Sequence, residues 1–298
     1  MEFLAMNIFI ETLIGGLLAG TMYTLVAIGF VLIFKASGVF NYAQGSILLF
    51  AALTLVTLID SGIPFFIAII LTLFVLGIGA VVIERTVLRP LANRSPMTLF
   101  MATLGLSYVV EGLAQGLMGA EVRALDIGIE DLPIFIGDIL ISEFDLYAAL
   151  IAVTLVAVLA SLFNKTRLGI SLRAVADDIR AAQTIGINLN RIWQIVWFVA
   201  GVVALVAGMV WGARQGVAFS LSLVVLKALP VLIIGGFTSI GGAIVGGLIV
   251  GAGEALAETY LGPLIGGGIS SWFAFLLALL FLYVRPAGLF GEIQVERV

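Results

Sequence analysis

Residues 63–83 read IPFFIAIILTLFVLGIGAVVI, with no charged side chain and Thr72 as the one polar one. An α-helix needs about 20 such residues to cross the hydrocarbon of a bilayer. Outward from this stretch, further apolar runs fall at 8–34, 43–59, 97–118, 146–163, 194–213, 217–235, 239–257 and 270–284. The chain of 298 residues is 62% hydrophobic and 11% charged, where soluble domains run about 45–50% and about 25%. A mean hydropathy of +1.25 says the same. The runs are too long and continuous for the roughly ten-residue alternating strands of an outer-membrane barrel. The expected fold is all-α, a polytopic helical membrane protein of about 8–10 transmembrane helices.

What is missing excludes other chemistry. With no Cys there is no disulfide, thiolate nucleophile or Cys-held metal. With no His the commonest general base and metal ligand is gone. The lysines are Lys35, Lys165 and Lys227, and none follows a glycine. A phosphate-binding loop of the G-x-x-x-x-G-K-[ST] type is therefore absent, so any ATP that drives this protein is bound by another chain. No nucleophile–base set for an intramembrane enzyme is visible, and no metal site or nucleic-acid partner is expected. The start carries Glu2 and Glu11 and its apolar run continues to Phe34, which reads as a retained first helix rather than a removable signal peptide.

Arg and Lys in short loops orient such a chain. Arg85, Arg89 and Arg94 follow the third run; Lys165, Arg167, Arg173, Arg180 and Arg191 follow the fifth; Arg285 and Arg297 close the chain. These are expected on the cytoplasmic side. Segment 119–145 holds Arg123 against Glu121, Asp126, Glu130, Asp131, Asp138, Glu143 and Asp145, and is expected to be extracytoplasmic. Nine spans then put the N-terminus outside and leave Arg214 as a stray outer arginine. Within the outer segment, IEDLPIFIGDILIS reads either as a solvated linker or as a small hairpin or lid.

Two places break the rules for spanning helices, which are interrupted only where protein or a water-filled cavity supports the backbone. One is Ser37-Gly38-Val39-Phe40-Asn41-Tyr42-Ala43-Gln44-Gly45-Ser46. The other is Gly235-Gly236-Phe237-Thr238-Ser239-Ile240-Gly241-Gly242-Ala243. At an offset of 197, Gly38 meets Gly235, Phe40 meets Phe237, Gly45 meets Gly242 and Ile47 meets Ile244. Paired glycine-interrupted segments mark transporters built from repeats, and helix N-termini exposed at such breaks offer N–H groups to a carboxylate. Asn41, Tyr42, Gln44, Gly45, Thr238, Ser239, Gly241 and Gly242 are the candidate pathway residues. The alternative is that the glycines only let helices pack closely, which suits Gly246, Gly247 and Gly251 best.

In the loop 164–193, residues 171–186 read as one short helix. Arg173 and Asp177, and Asp177 and Arg180, are spaced to pair along one face, with Val175, Ile179 and Ala182 as a narrow apolar stripe and Gly186 as the stop. A compact charged helix of this kind suits either a groove on a soluble partner or the bilayer surface.

Arg173-Ala174-x-Ala176-Asp177-Asp178-x-x-Ala181-Ala182-x-x-x-Gly186-Ile187 resembles the coupling-loop signature of bacterial ABC-transporter permeases of the branched-chain amino acid (Liv) type. Gly38-x-x-Asn41-x-Ala43-x-Gly45 resembles that family's N-terminal motif, which usually carries His where Gln44 stands. Gly235-Gly236-x-x-Ser239-x-x-Gly242-Ala243-x-x-Gly246-Gly247 and Arg285-Pro286-x-Gly288-Leu289-Phe290-Gly291 resemble its C-terminal motifs. The match runs over essentially the whole chain and is nearer the shorter of the family's two permease subunits. The resemblance implies a single permease domain over 1–298 in the bacterial cytoplasmic (inner) membrane. It implies four partners as well: a homologous second permease, two cytoplasmic ABC ATPases carrying ATP and Mg, and an extracytoplasmic solute-binding protein. No cofactor is implied in this chain. Arg173, Ala174, Asp177, Asp178, Ala181, Ala182 and Gly186 would form the coupling helix, and alternating access would be driven from the ATPases. Branched-chain or related hydrophobic amino acids are the implied substrates, with urea, short amides and aromatic acids as alternatives inside the family. An ATP-independent channel or carrier is the rival from another class, and it has no use for a docking helix.

Glu11, Glu111, Lys227 and Glu254 fall in or near apolar runs. An ionisable group at mid-bilayer costs about 2.5–3.5 kcal/mol on insertion scales, so each needs a partner or water. Lys227 with Glu254 or Glu111 would make a structural ion pair; alternatively Lys227 attracts a substrate carboxylate.

Overall fold

A computed structural model describes residues 2–291 apart from Val39, Ala92, Asn93, Glu130 and Asp178. Arg297 also lies outside the described residues. The apolar runs become helices: α1 (Glu2–Ser37), α2 (Gln44–Asp60), α3 (Phe65–Ile83), α4 (Arg89–Leu91), α5 (Pro96–Met118), α6 (Glu143–Lys165), α7 (Arg167–Asp177), α8 (Ile179–Thr184), α9 (Leu189–Gln215), α10 (Val224–Gly235), α11 (Ile240–Ile265) and α12 (Ser270–Val284). A π-helical turn, Glu84–Leu88, joins α3 to α4, and a 3-10 turn, Phe219–Leu223, leads into α10. Among the described residues six helices are long and apolar enough to cross a membrane: Met6–Ser37, Phe65–Leu91, Pro96–Met118, Glu143–Lys165, Leu189–Gln215 and Ile240–Ile265. Gln44–Asp60, Phe219–Gly235 and Ser270–Val284 are apolar but shorter. Each of the nine runs is helical, but three fall below the roughly 20 residues a full crossing takes.

The chain groups into two compact units, residues 1–27, 128–156 and 226–298 in one and residues 28–127 and 157–225 in the other. The second is built around α2, which packs against α3, α5 and α9. Residues Gln44 to Val56 are all buried except Phe50. A helix apolar all round belongs inside a bundle, and the polar groups α2 carries are matched: Ser46 Oγ donates to Glu111 Oε1 at 2.8 Å, and Thr54 Oγ1 to Phe50 O at 2.7 Å. In contrast α3 buries only Ala68, Thr72, Leu76 and Ala80, four residues apart, and exposes Phe66, Ile70 and Phe74, as expected of a lipid-facing helix. At one end of this unit Arg123 ties three elements together. Its guanidinium donates to Thr57 Oγ1 at 2.9 Å and to Met118 O, and meets Asp60 at 3.5 Å. Its backbone exchanges both hydrogen bonds with Val217. The lone base of the acidic segment is thus a clasp, and Arg214, two residues before Gly216, lies at the same end of α9.

In the first unit the early part of α1 meets α11 through glycines. An added Cβ on Gly20 would stand 2.5 Å from Gly247 O, and one on Gly251 would stand 2.5 Å from Gly20 Cα. Lipid offers helices no hydrophobic drive to associate, so contacts this close supply the attraction through dispersion. Gly247 and Gly251 therefore pack, as one reading of the sequence had it. Residues 131–142 form the hairpin alternative: β1 (Pro133–Ile136) and β2 (Ile139–Ser142) are antiparallel, Ile134 opposite Ile141. Gly137, at φ +65°, makes the turn. Ser142 Oγ then accepts from Asp145 N at 3.0 Å and starts α6.

Candidate functional site

The first break follows Gly38, whose φ of +67° ends α1 with its N–H on Phe34 O at 2.7 Å. Trp193 Nε1 donates to Ala36 O at 3.3 Å, satisfying a carbonyl of the last turn. Asn41 restarts the helix: its Oδ1 accepts from Ala43 N at 3.1 Å, an Asx turn. Its Nδ2 reaches Gln44 Oε1 at 3.5 Å. Gln44 Nε2 donates to Ala200 O at 3.3 Å and fills the space left by Gly29, where a Cβ would collide with it. Asn41 and Gln44 are 0% and 1% exposed. Tyr42 is exposed at 38%, its N–H on Thr103 Oγ1 at 3.1 Å and its ring edge-on to Phe100. Gly45 is buried, and its missing side chain admits Ser222 O and Val225.

Depth follows from the partners. Thr103 is about 10 Å along α5 from Pro96, and Ala200 about 16 Å along α9 from Leu189, at 1.5 Å per residue. The break lies inside the bundle, not at its end. Beside it a narrow cavity lined by Leu88, Leu99, Trp193 and Trp197, with Asn41 and Thr103 at its polar edge, has room for about one water.

The second break follows Gly236, φ +101°, whose N–H closes α10 on Leu232 O at 2.8 Å. Ser239 caps α11, its Oγ accepting from Gly242 N at 3.0 Å. Thr238 is half-buried, and Gly241 is exposed while Gly242 is buried against Gly235 O. The breaks correspond in kind, since each is a left-handed glycine, a short link and a side-chain-assisted restart. They do not correspond at one offset. Helix ends align Gly38 with Gly236, helix starts align Gln44 with Ile240, and 197 is their mean.

The C-terminal motif docks here as well. Leu289 N donates to Ile234 O at 2.8 Å and Phe290 N to Gly235 O at 3.1 Å. Gly288, at φ +77°, comes so close to Gly236 that a Cβ would stand 2.8 Å from its N. Two motifs far apart in sequence are therefore one structure, with residues 288–291 strapping the end of α10. Nothing local in either motif announces this.

The segment between α6 and α9, here the elbow, begins earlier than the helix expected over 171–186: it is helical over Arg167–Asp177 and Ile179–Thr184. The start is earlier because Thr166 Oγ1 accepts from Gly169 N at 3.3 Å, a cap that a reading begun at Ser171 passes over. Asp178, one of the candidate coupling residues, lies outside the described residues, as do the side chains of Ile179 and Arg180. Leu172, Val175 and Ala182 are buried, while Arg173, Asp177, Ala181 and Gly186 are exposed and Ala174 is half-buried. Gly186, at φ +87°, ends α8 as expected: Ile187 N reaches Ala182 O and Gly186 N reaches Gln183 O, both at 3.0 Å. Among the described residues no ion pair joins Arg173 to Asp177, as is common for exposed pairs worth little.

Of the intramembrane charges, Glu111 is held by Ser46. Lys227 takes Glu254: Nζ lies 2.7 Å from Oε1 and also donates to Ser270 O. Tyr23 OH donates to Glu254 Oε2 at 2.7 Å, and Lys227 stands 6.0 Å over the Tyr23 ring. Glu254 is 4% exposed. The network joins α1, α10, α11 and α12. Missed altogether in the sequence was Glu84, fully buried and bonded to Gln194.

A membrane body of apolar helices, with helix breaks supported by glycine contacts and caps, is the architecture of a polytopic transport protein. A family model described as "Branched-chain amino acid transport system / permease component" matches residues 12–284, and the chain belongs to that family. It is a multi-pass protein of the bacterial inner membrane. It is 29% identical to the high-affinity branched-chain amino acid transport system permease protein LivH of Escherichia coli K12, over 97% of this chain and 98% of that one. To BraD of Pseudomonas aeruginosa, which carries the same description, it is 26% identical, again over 97% and 98%. Among solved structures, PsaBC from Streptococcus pneumoniae in complex with Fab covers 92% of this chain and 90% of that chain, at TM-score 0.47 and 15% identity.

Proposed function

We propose that this chain is the permease subunit of an ATP-driven importer that moves branched-chain or related hydrophobic amino acids across the cytoplasmic membrane by alternating access. The supporting observation is the α7–α8 elbow. Its apolar side is seated on its own bundle, while Arg173, Asp177, Ala181 and Gly186 face outward between two spanning helices. A short exposed element braced in this way can receive a push from a soluble partner without deforming. The chain has no phosphate-binding loop, so the ATP and Mg belong to two partner ATPases. A homologous second permease and an extracytoplasmic solute-binding protein complete the assembly.

Each break, taken by itself, borders a substrate pathway in this reading. Ser239 engages the third N–H of α11, and the first-turn donors beside it, on Ile240 and the exposed Gly241, are oriented for a carboxylate. Tyr42, Thr238 and Ser239 are the candidate residues with side chains at least partly accessible at the breaks. Asn41, Gln44 and Gly45 act from behind, shaping the restart of α2. The names of the relatives favour branched-chain substrates over urea, amides or aromatic acids.

The test is reconstitution. In proteoliposomes containing the chain with its ATPases, second permease and binding protein, labelled leucine should accumulate only with ATP. Uptake by this chain alone without ATP overturns the proposal. Reversal of Asp177 to Lys should stop uptake while the chain still inserts and folds.

A further inference from the structure

Glu84 is a buried carboxylate with no part in either break or in the elbow. It ends the line of buried residues Ala68, Thr72, Leu76 and Ala80 along α3, and is 0% exposed. There the helix widens into its π-helical turn, a local irregularity frequent at functional sites. Oε2 accepts from Gln194 Nε2 at 2.8 Å. Oε1 makes no hydrogen bond and faces Arg89 Nε at 3.6 Å. Asn190, its amide oxygen turned to the guanidinium, accepts from Arg89 Nη2 at 2.5 Å and Nε at 3.2 Å. A buried charge with one oxygen unbonded is unfavourable and calls for an explanation.

The elbow sits on the same turns of α9, by other residues. Leu168 and Leu172 of α7 share an apolar pocket with Ile192, Ile195, Val196 and Val199. The start of α9 is therefore held twice, by an apolar seat for the elbow and by a polar grip from Asn190 and Gln194 onto Arg89 and Glu84.

We propose that Glu84 is a positioning residue for transport: through Gln194 and Arg89 it fastens the first turns of α9 to the end of α3, so that displacement of the elbow is passed to α3. The proposal rests on the reading of the elbow as the ATPase docking element. In this conformation Oε1 stands off from Arg89. A shift of α9 that draws Arg89, through Asn190, to hydrogen-bond distance of Oε1 supplies the missing partner and gives the grip a second stable position.

The experiment measures ATP hydrolysis and leucine uptake together in the reconstituted full assembly. Glu84→Gln keeps the size of the side chain and removes its charge. Hydrolysis should stay within about twofold of the unsubstituted assembly while uptake per ATP falls by about fivefold or more, the range expected when a coupling element is weakened. Gln194→Leu should do the same, and it carries the test if the first variant fails to assemble. Hydrolysis and uptake falling in proportion, or neither changing, overturns the proposal. An unsubstituted assembly whose uptake ignores ATP overturns the docking reading, and this one with it. Normal coupling in that control confines any failure to Glu84.

Discussion

Glu254 lies 2.7 Å from Lys227 and, through its other oxygen, 2.7 Å from the Tyr23 hydroxyl. The acid is almost wholly buried, so its charge depends on both neighbours. Breaking a buried pair from one side leaves the other charge uncompensated, at about 3–5 kcal/mol. Glu254→Gln and Lys227→Met should each lower the melting temperature in detergent strongly. The double replacement Lys227→Met with Glu254→Leu should recover much of the loss. If the two losses simply add, the pair is not the source of either.

Glycines of the two kinds should respond in opposite directions. Gly251→Ala forces a Cβ against Gly20 Cα at 2.5 Å, overpacking worth about 1–3 kcal/mol. Gly105, exposed on α5, has nothing within 4 Å of an added Cβ. Gly105→Ala should be neutral or stabilising, by up to about 1 kcal/mol of helix propensity. Thermal unfolding of the two purified variants decides it.

Asn41 and Thr238 separate packing from transport. Asn41→Ala loses a buried turn-forming hydrogen bond, about 1–2 kcal/mol, and should impair folding and uptake together. Thr238→Ala should leave stability within about 0.5 kcal/mol yet reduce leucine uptake. Equal uptake by Thr238→Ala and the unsubstituted chain would remove that residue from the pathway.

Gly288→Val puts a branched side chain at φ +77°, with its Cβ 2.8 Å from Gly236 N. Strain of about 1–3 kcal/mol should lift the strap from α10. Protease cleavage within 285–291 should accelerate, while the same change at the open, negative-φ Gly79 should not affect it.

Continuity of apolar residues made the helices legible, because a bilayer imposes length on each run independently of its neighbours. Gly38, Gly236 and Gly186 were legible as interruptions for a similar reason: each needs a left-handed backbone that glycine supplies. What stayed hidden were pairings across distance. Glu84 reads as the flank of a basic loop until Gln194 arrives from α9, and its π-helical turn has no residue signature. Arg123 counted as one charge in an acidic segment, and only Val217, Thr57 and Asp60 make it a clasp. Asn41 and Gln44 read as pathway polarity, and in the fold Asn41 bonds Ala43 N and Gln44 while Gln44 bonds Ala200 O beside Gly29.

The strap also sets an order of manufacture. A ribosome delivers α10 to the membrane well before it delivers residues 289–290, so the carbonyls of Ile234 and Gly235 lack these two donors until that later segment is made. A chain interrupted before that segment never closes the end of α10 in this way.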